Sequence, residues 1–141
     1  MIVGATATRR GLTQGFPSQY SRIFSWLYEH QHEISELHHG VCIGGDEEIN
    51  NMARMLGIYT VGHPPVNTKY MSNCVVDTMW EPAEYLARDG DIVTESDVML
   101  VAPWQNTRPK SIRGSGTWYT HDLAVAYDLG IVLFWPDGRI E

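Results

Sequence analysis

The segment Arg113-Gly114-Ser115-Gly116-Thr117-Trp118-Tyr119-Thr120 gathers a guanidinium, two glycines and several hydroxyls within two helical turns' worth of chain. Glycines at 114 and 116 let a backbone come close to a ligand, and free N–H groups at a helix start favour a phosphate. Arg113 adds charge-assisted hydrogen bonds and Ser115 and Thr117 add hydroxyl ones, with Trp118 placed to stack on a base. The competing reading is a tight turn in which Ser115 or Thr117 only caps a helix; taken alone, the segment supports both equally. A second turn, Gly4-Ala5-Thr6-Ala7-Thr8-Arg9, supplies Thr6, Thr8 and Arg9 as donors, or else a helix cap with solvent-facing arginine. A third, Gly44-Gly45-Asp46, offers a carboxylate that could hydrogen-bond ribose hydroxyls or act on a sugar. N-capping by Asp46 is the preferred reading there. Arg88 lies near enough in the chain order to reach such a site, although an exposed helix arginine is the default.

Other reactive residues point nowhere in particular. The histidines at 30, 32, 38, 39, 63 and 121 show no metal-binding spacing, and Cys42 and Cys74 lie too far apart to suggest a zinc pair, so no metal and no cofactor are expected. Ser115 is not in a nucleophile elbow and has no indicated base.

The elements that must position these turns alternate. Short apolar runs are expected as strands at 1–3, 36–41, 58–61, 98–103 and 131–135. Helices are expected within 13–33, where Tyr20, Ile23, Phe24 and Leu27 share a face, and over 46–56, 83–95 and 115–129, the last with Thr120, Leu123, Ala124 and Tyr127 inward. Pro17 is accommodated in the first turn of the first helix. Gly57 and Gly130 stop two helices. Residues 66–82 lose periodicity and read as a lid or a packed crossover. The pattern predicts an α/β, Rossmann-like three-layer sandwich with a mostly parallel five-stranded sheet of order 3-2-1-4-5. Ligands of such sheets bind beyond the carboxyl ends of strands one and four, where the order reverses. Both glycine turns fall there, which makes binding the better reading of the pair.

The 141 residues, 43% of them hydrophobic, suit one domain spanning 1–141. A net charge of −7 argues against a nucleic-acid partner while leaving room for a few arginines around one small anion. With no long apolar run and no signal-like start, a cytoplasmic protein without membrane association is expected.

The blocks LHHGVCIGGDEEINNMA, GHPP, EPAEYLARDGDIV, SDVMLVAP, RGSGTW and GIVLFWPDG, in that order from Leu37 to Gly138, resemble small bacterial and phage members of the SLOG superfamily. That group includes the LOG phosphoribohydrolases and the DNA-processing protein DprA. The resemblance implies a Rossmann-like sheet, a pocket for nucleotides or nucleotide-derived molecules, and a homo-oligomer. LOG enzymes carry a PGGxGTxxE pattern whose glutamate helps cleave the base from a nucleoside monophosphate; here its place is taken by Thr120 and the start reads Arg113-Gly114-Ser115. Close small relatives read RNRD where this chain has Arg88-Asp89-Gly90-Asp91, so one of two arginines is missing.

Three functions follow as expectations. The first is binding, sensing or sequestering a nucleotide-derived or phosphosugar-type molecule without turnover, through Thr6, Thr8, Arg9, Gly44, Asp46, Arg88, Arg113, Gly114, Ser115, Gly116, Thr117 and Trp118. The second is an N-glycoside hydrolase or transferase in which Asp46, Glu81 or Asp122 replaces the absent glutamate. The third and weakest is DprA-like binding of single-stranded DNA.

Overall fold

The alternation of apolar residues along the strand Val98–Ala102 (β5) sets the layering of the molecule. Leu100 and Ala102 enter one hydrophobic core while Met99 and Val101 enter another, as period-two side chains on a doubly covered strand must. The computed structural model describes residues 1–141. In chain order its elements are β1 (Ile2–Ala7), α1 (Gln19–His30), β2 (Glu36–His39), α2 (Gly45–Met55), β3 (Thr60–Gly62), β4 (Thr78–Met79), α3 (Tyr85–Glu95), β5, α4 (Gly116–Ala126) and β6 (Gly130–Leu133).

The larger core joins Ile23 and Leu27 of α1 and Ile49, Met52 and Ala53 of α2 to Val3, Ala5, Leu37 and Phe134. The second joins Ile92 and Val93 of α3 and Trp118 and Ala124 of α4 to Met99, Val101 and Leu133. Helices therefore cover both faces of the sheet. The shared face of α1 forms as expected at Ile23 and Leu27, with Tyr20 and Phe24 at its half-buried margin. On α4, Thr120 and Ala124 are buried, but Tyr127 is exposed because the helix ends at Ala126 and turns away. Pro17 lies just outside α1, whose N-cap is Ser18 in a capping box with Ser21.

All pairings in the sheet are parallel, with order β4-β3-β2-β1-β5-β6. The expected five-stranded order is thus corrected by a sixth strand at one edge. β4 is only two residues long and exposed, and residues that short carry no periodicity to read. The other strands keep the relative order that puts the reversal between β1 and β5. The segment 66–82 is a packed crossover: Ile43 N–H donates to Tyr70 O, Ser72 N–H to Val41 O, and Trp80 N–H to Gly62 O. No helix is long and apolar enough to cross a membrane.

Candidate functional site

Beyond the carboxyl ends of β1 and β5 lies a cleft of about 920 Å³, a size suited to a nucleotide-scale ligand. Its first wall is the turn after β1. Thr8 N–H donates to Ala102 O (2.9 Å), Gly45 N–H donates to Thr8 O (2.9 Å), and Arg10 N–H donates to Thr8 Oγ1 (3.1 Å). This turn rests on the next one. Gly44 sits at φ +84°, and a Cβ there would collide with the Arg9 carbonyl, so only glycine allows the two turns to nest. Gly44 itself does not line the cleft, which corrects its expected place in the ligand contact set. It shapes the wall from behind.

The opposite wall is the start of α4. Ser115 is its N-cap, and its Oγ accepts from Trp118 N–H (3.2 Å). Tyr119 N–H reaches Ser115 O (3.0 Å), while the amides of Gly116 and Thr117 have no protein partner and border the cleft. The cap reading of Ser115 and the open amides therefore coexist. Gly114 and Gly116 leave the space beside them open, with nothing nearer to a Cβ at Gly116 than Asp89 Oδ2 at 3.9 Å.

The floor is a buried charged cluster. Arg88 Nε donates to Asp89 Oδ1 (2.7 Å), and its Nη1 donates to the carbonyls of Gly40 (2.5 Å) and His63 (3.3 Å). Asp46 Oδ2 accepts from the amides of Gly40 (3.2 Å) and Cys42 (3.3 Å), and its Oδ1 has no partner although Asp46 is only 5% exposed. Arg88 and Asp46 converge above Gly40: a Cβ there would lie 2.5 Å from Nη1 and 3.1 Å from Oδ2, so the floor has no room for a side chain at 40. Burial pushes the Asp46 carboxyl up to about 6, with the Arg88 charge and the amides of Cys42, Gly40 and Ala7 opposing it. Burial does the same to Asp89, also to about 6, against the pull of Arg88. The Cys42 thiol is pushed up to about 11 by burial and stands beside them as a neutral group.

The rim is cationic. Arg9, Arg10, Lys69 and Arg113 all border the cleft and are exposed, and none is in an ion pair. The guanidinium of Arg9 lies 3.8 Å above the Tyr70 ring and that of Arg10 3.7 Å above Trp104, so two arginines are held at the mouth by aromatic faces. Lys69 and Tyr70 belong to the crossover, which thus also closes one side of the cleft.

The structure brings Thr6, Thr8, Arg9, Asp46, Arg88, Arg113, Gly114, Ser115, Gly116, Thr117 and Trp118 to this cleft and corrects the parts of several. Asp46 is not the helix cap. Gly44 holds that position without a side-chain bond, because the Asp46 carboxylate turns back onto the loop amides. Arg88 is not an exposed helix residue but is 6% exposed, and Asp89 and two carbonyls occupy its Nε and Nη1. Trp118 is 4% exposed and packs on Trp135 (5.7 Å between centroids), so the cleft's accessible rings are those of Trp104, Tyr70, Tyr85 and Tyr119. Glu81 and Asp122 lie outside the cleft. Glu81 follows Trp80, which is pinned to the sheet edge, and the Asp122 carboxylate is clamped by Arg108 (2.7 and 2.6 Å), which holds it down to about 2. Neither carboxylate faces the cleft.

Asp89 is the residue that sequence reasoning missed. It lies next to Arg88 on the inward face of α3, where a carboxylate normally stays in water, and a hydrogen bond to Thr120 helps hold its charge. Arg10, Lys69 and Tyr70 were equally silent, since none lies in a quoted block, and Gly40 and Cys42, though inside one, had no part assigned to them. Behind the floor runs a histidine chain. His38 Nε2–H donates to Glu36 Oε1 (2.8 Å), His38 Nδ1 and His63 Nε2 share a hydrogen bond of 2.8 Å, and His63 Nδ1 is left without a partner. Burial lowers His63 to about 3 and His39 to about 4.

No protein-family model and no curated protein sequence matches the chain. Solved structures do. The molybdenum cofactor binding protein of Rippkaea orientalis superimposes with a TM-score of 0.69 at 22% identity, over 95% of this chain and 76% of that one. The Moco carrier protein of Chlamydomonas reinhardtii gives 0.66 at 21% identity, over 94% and 74%. DNA processing protein A of Streptococcus pneumoniae gives 0.62 at 14% identity, over 93% of this chain but only 49% of that one. These likenesses define an α/β protein with an open, parallel Rossmann-like sheet. That is the fold the ordered sequence blocks implied.

Proposed function

We propose that this protein binds, without turnover, a phosphorylated small molecule derived from a nucleotide or a related heterocycle, and that it does so in the cleft at the β1–β5 reversal. One observation carries the reading: on a chain of net charge −7, four unpaired cations and the open amides of α4 face one cleft. Charge-assisted hydrogen bonds from Arg9 and Arg113, with hydroxyls from Thr6 and Thr117, suit a phosphate. That two fold relatives are named for the molybdenum cofactor agrees with a small-molecule cargo and adds that cofactor to the candidates. Binding without turnover is supported by Thr120, a buried hydroxyl at the position of the LOG acid.

A second reading rests on the free oxygen of Asp46. A buried carboxylate beside a bound nucleoside phosphate could stabilise an oxocarbenium-like centre and so support N-glycoside hydrolysis. Mass spectrometry of the molecule that co-purifies, followed by incubation with a nucleotide panel, decides between them. Intact ligand recovered in stoichiometric amount is expected; catalytic release of a free base would replace the binding reading by the hydrolytic one. A homo-oligomer belongs to the same proposal, and a monomeric mass in light scattering would reject it.

A further inference from the structure

Two of the unpaired cations at the rim converge on a single ring. The Arg9 guanidinium lies 3.8 Å from the centroid of Tyr70 and the Lys69 ammonium 5.1 Å from it. Hydrogen bonding to Lys69 and the Lys69 charge, with a smaller pull from Arg9, hold the Tyr70 hydroxyl below its ordinary value. Both cations are exposed, both border the cleft, and neither is in an ion pair. Two like charges and a phenol thus meet at a point that solvent and ligand can reach. An anion placed there offsets the repulsion between the cations and accepts from all three groups.

This corner is distinct from the end of the cleft formed by α4. Lys69 and Tyr70 are tied to the loop after β2, where Ile43 N–H donates to Tyr70 O (2.9 Å) and Ser72 N–H to Val41 O (2.8 Å). The start of α4 packs over β5 and β6 instead, with Trp118 in the core that holds Met99, Val101 and Leu133. In the sheet β1 separates β2 from β5, and two strand spacings of about 4.8 Å put the two ends roughly 10 Å apart. A single phosphate, whose oxygens reach donors at about 3 Å, is too small to hold both. Midway between them lies the floor, where Asp46 and Asp89 outnumber the one guanidinium of Arg88 and disfavour a central anion.

We infer that the cleft takes a ligand with two phosphoryl groups on separate parts of its skeleton, one at the α4 start beside Arg113 and the other on Lys69 and the Tyr70 hydroxyl, with Arg9 common to both. This rests on the proposed binding of a phosphorylated ligand and narrows its class. Arg9 follows β1, the strand between the two ends, and its guanidinium has several donors to share. Nucleoside 3′,5′-bisphosphates and 5′-phosphorylated dinucleotides both carry two phosphoryl groups with a sugar between them. Nucleoside monophosphates have one such group, and diphosphates have two that are adjacent.

The test has two readouts, both on the full chain. Inorganic phosphate titrated into isotope-labelled protein at constant ionic strength should shift two groups of amide resonances, one at Gly116 and Thr117 and one at Lys69 and Tyr70. Lys69→Ala should remove the second response alone. Calorimetry then compares adenosine and guanosine 5′-monophosphates with the matching diphosphates, 3′,5′-bisphosphates and 5′-phosphorylated dinucleotides. At least one compound with separated phosphates should bind about tenfold or more tightly than its monophosphate, and the better of the two kinds identifies the source of the second group. Lys69→Ala should cost that compound about tenfold and the monophosphate distinctly less, while Lys69→Arg keeps most of the gain. The inference is overturned, with the proposed function still standing, if phosphate shifts only one group of amides or if no compound with separated phosphates outbinds its monophosphate. It is overturned equally if diphosphates gain as much as bisphosphates, or if Lys69→Ala weakens mono- and bisphosphates alike. If phosphate shifts no amide and no nucleotide binds, the proposed function itself fails, and this inference with it.

Discussion

Asp46→Asn should gain stability relative to wild type as pH rises from the acid range through neutrality, while it weakens the cleft. In the folded chain burial holds the Asp46 carboxyl at about 6, against an ordinary value of 3.8 in the unfolded chain. Between those values the native state keeps a proton that the unfolded state has released. Stability attributable to this group is therefore complete below the unfolded value and is lost as pH rises through the folded one. Integrated over the window, the loss is about 3 kcal/mol. His39 and His63, lowered to about 4 and about 3, act in the opposite sense: their contribution is complete above the ordinary histidine value of 6.5 and is lost as pH falls. The wild-type profile is thus a difference of two trends. Subtracting the variant's profile isolates the carboxylate, because the histidines are common to both. Removing the Asp46 charge also relieves Asp89, which shifts the difference the same way. Urea unfolding followed by tryptophan fluorescence at several pH values measures it. Relative to wild type, Asp46→Asn should gain about 3 kcal/mol between about pH 4 and about pH 7.5. Parallel profiles would refute the placement of Asp46 as a buried, charge-strained group.

Other perturbations separate walls from floor. Arg9→Ala and Arg113→Ala should leave stability within about 0.5 kcal/mol, yet weaken binding of any phosphorylated ligand about tenfold, most visibly at low salt in titration calorimetry. Arg88→Ala strands two buried carboxylates and should cost about 3–5 kcal/mol, read as a lowered midpoint in urea. Gly40→Ala sets a methyl 2.5 Å from Arg88 Nη1 and should cost about 1–3 kcal/mol while impairing ligand binding, a combination that a surface glycine would not show. Asp122→Asn removes a half-exposed pair with Arg108 and should change stability by less than about 1 kcal/mol and leave ligand binding intact, as titration of the same ligand would show.

The sheet was legible where runs such as Val98–Ala102 are apolar on both faces, and the site was legible where glycine turns follow those runs. Both are local signals. What escaped depends on contacts between distant segments. β4 forms because Trp80 N–H and Asp77 N–H find β3 carbonyls, not because Thr78–Met79 prefers a strand. Asp89 looks like a surface residue until α3 packs over Gly40 and gives Arg88 two carbonyls to bind. Asp46 resembles a cap by its position next to Gly44-Gly45, and it is the amides of Gly40 and Cys42, six and four residues earlier, that draw its carboxylate inward. The resemblance of the ordered blocks identified the fold that the solved structures share. It could not supply the electrostatics of the floor, since these depend on how distant segments bury Asp46, Arg88 and Asp89 against one another.

The arginine laid over Trp104 gives the cleft an optical signal of its own. The indole is half exposed at the mouth and quenchable by whatever lies on its face, whereas Trp118 and Trp135 are sealed in the second core. A phosphate that draws Arg10 from the ring changes the light emitted by Trp104 and leaves the buried pair dark to the event. Occupancy can then be followed without a label, at concentrations where calorimetry has no heat to measure, and a screen for the natural cargo can run on crude metabolite fractions.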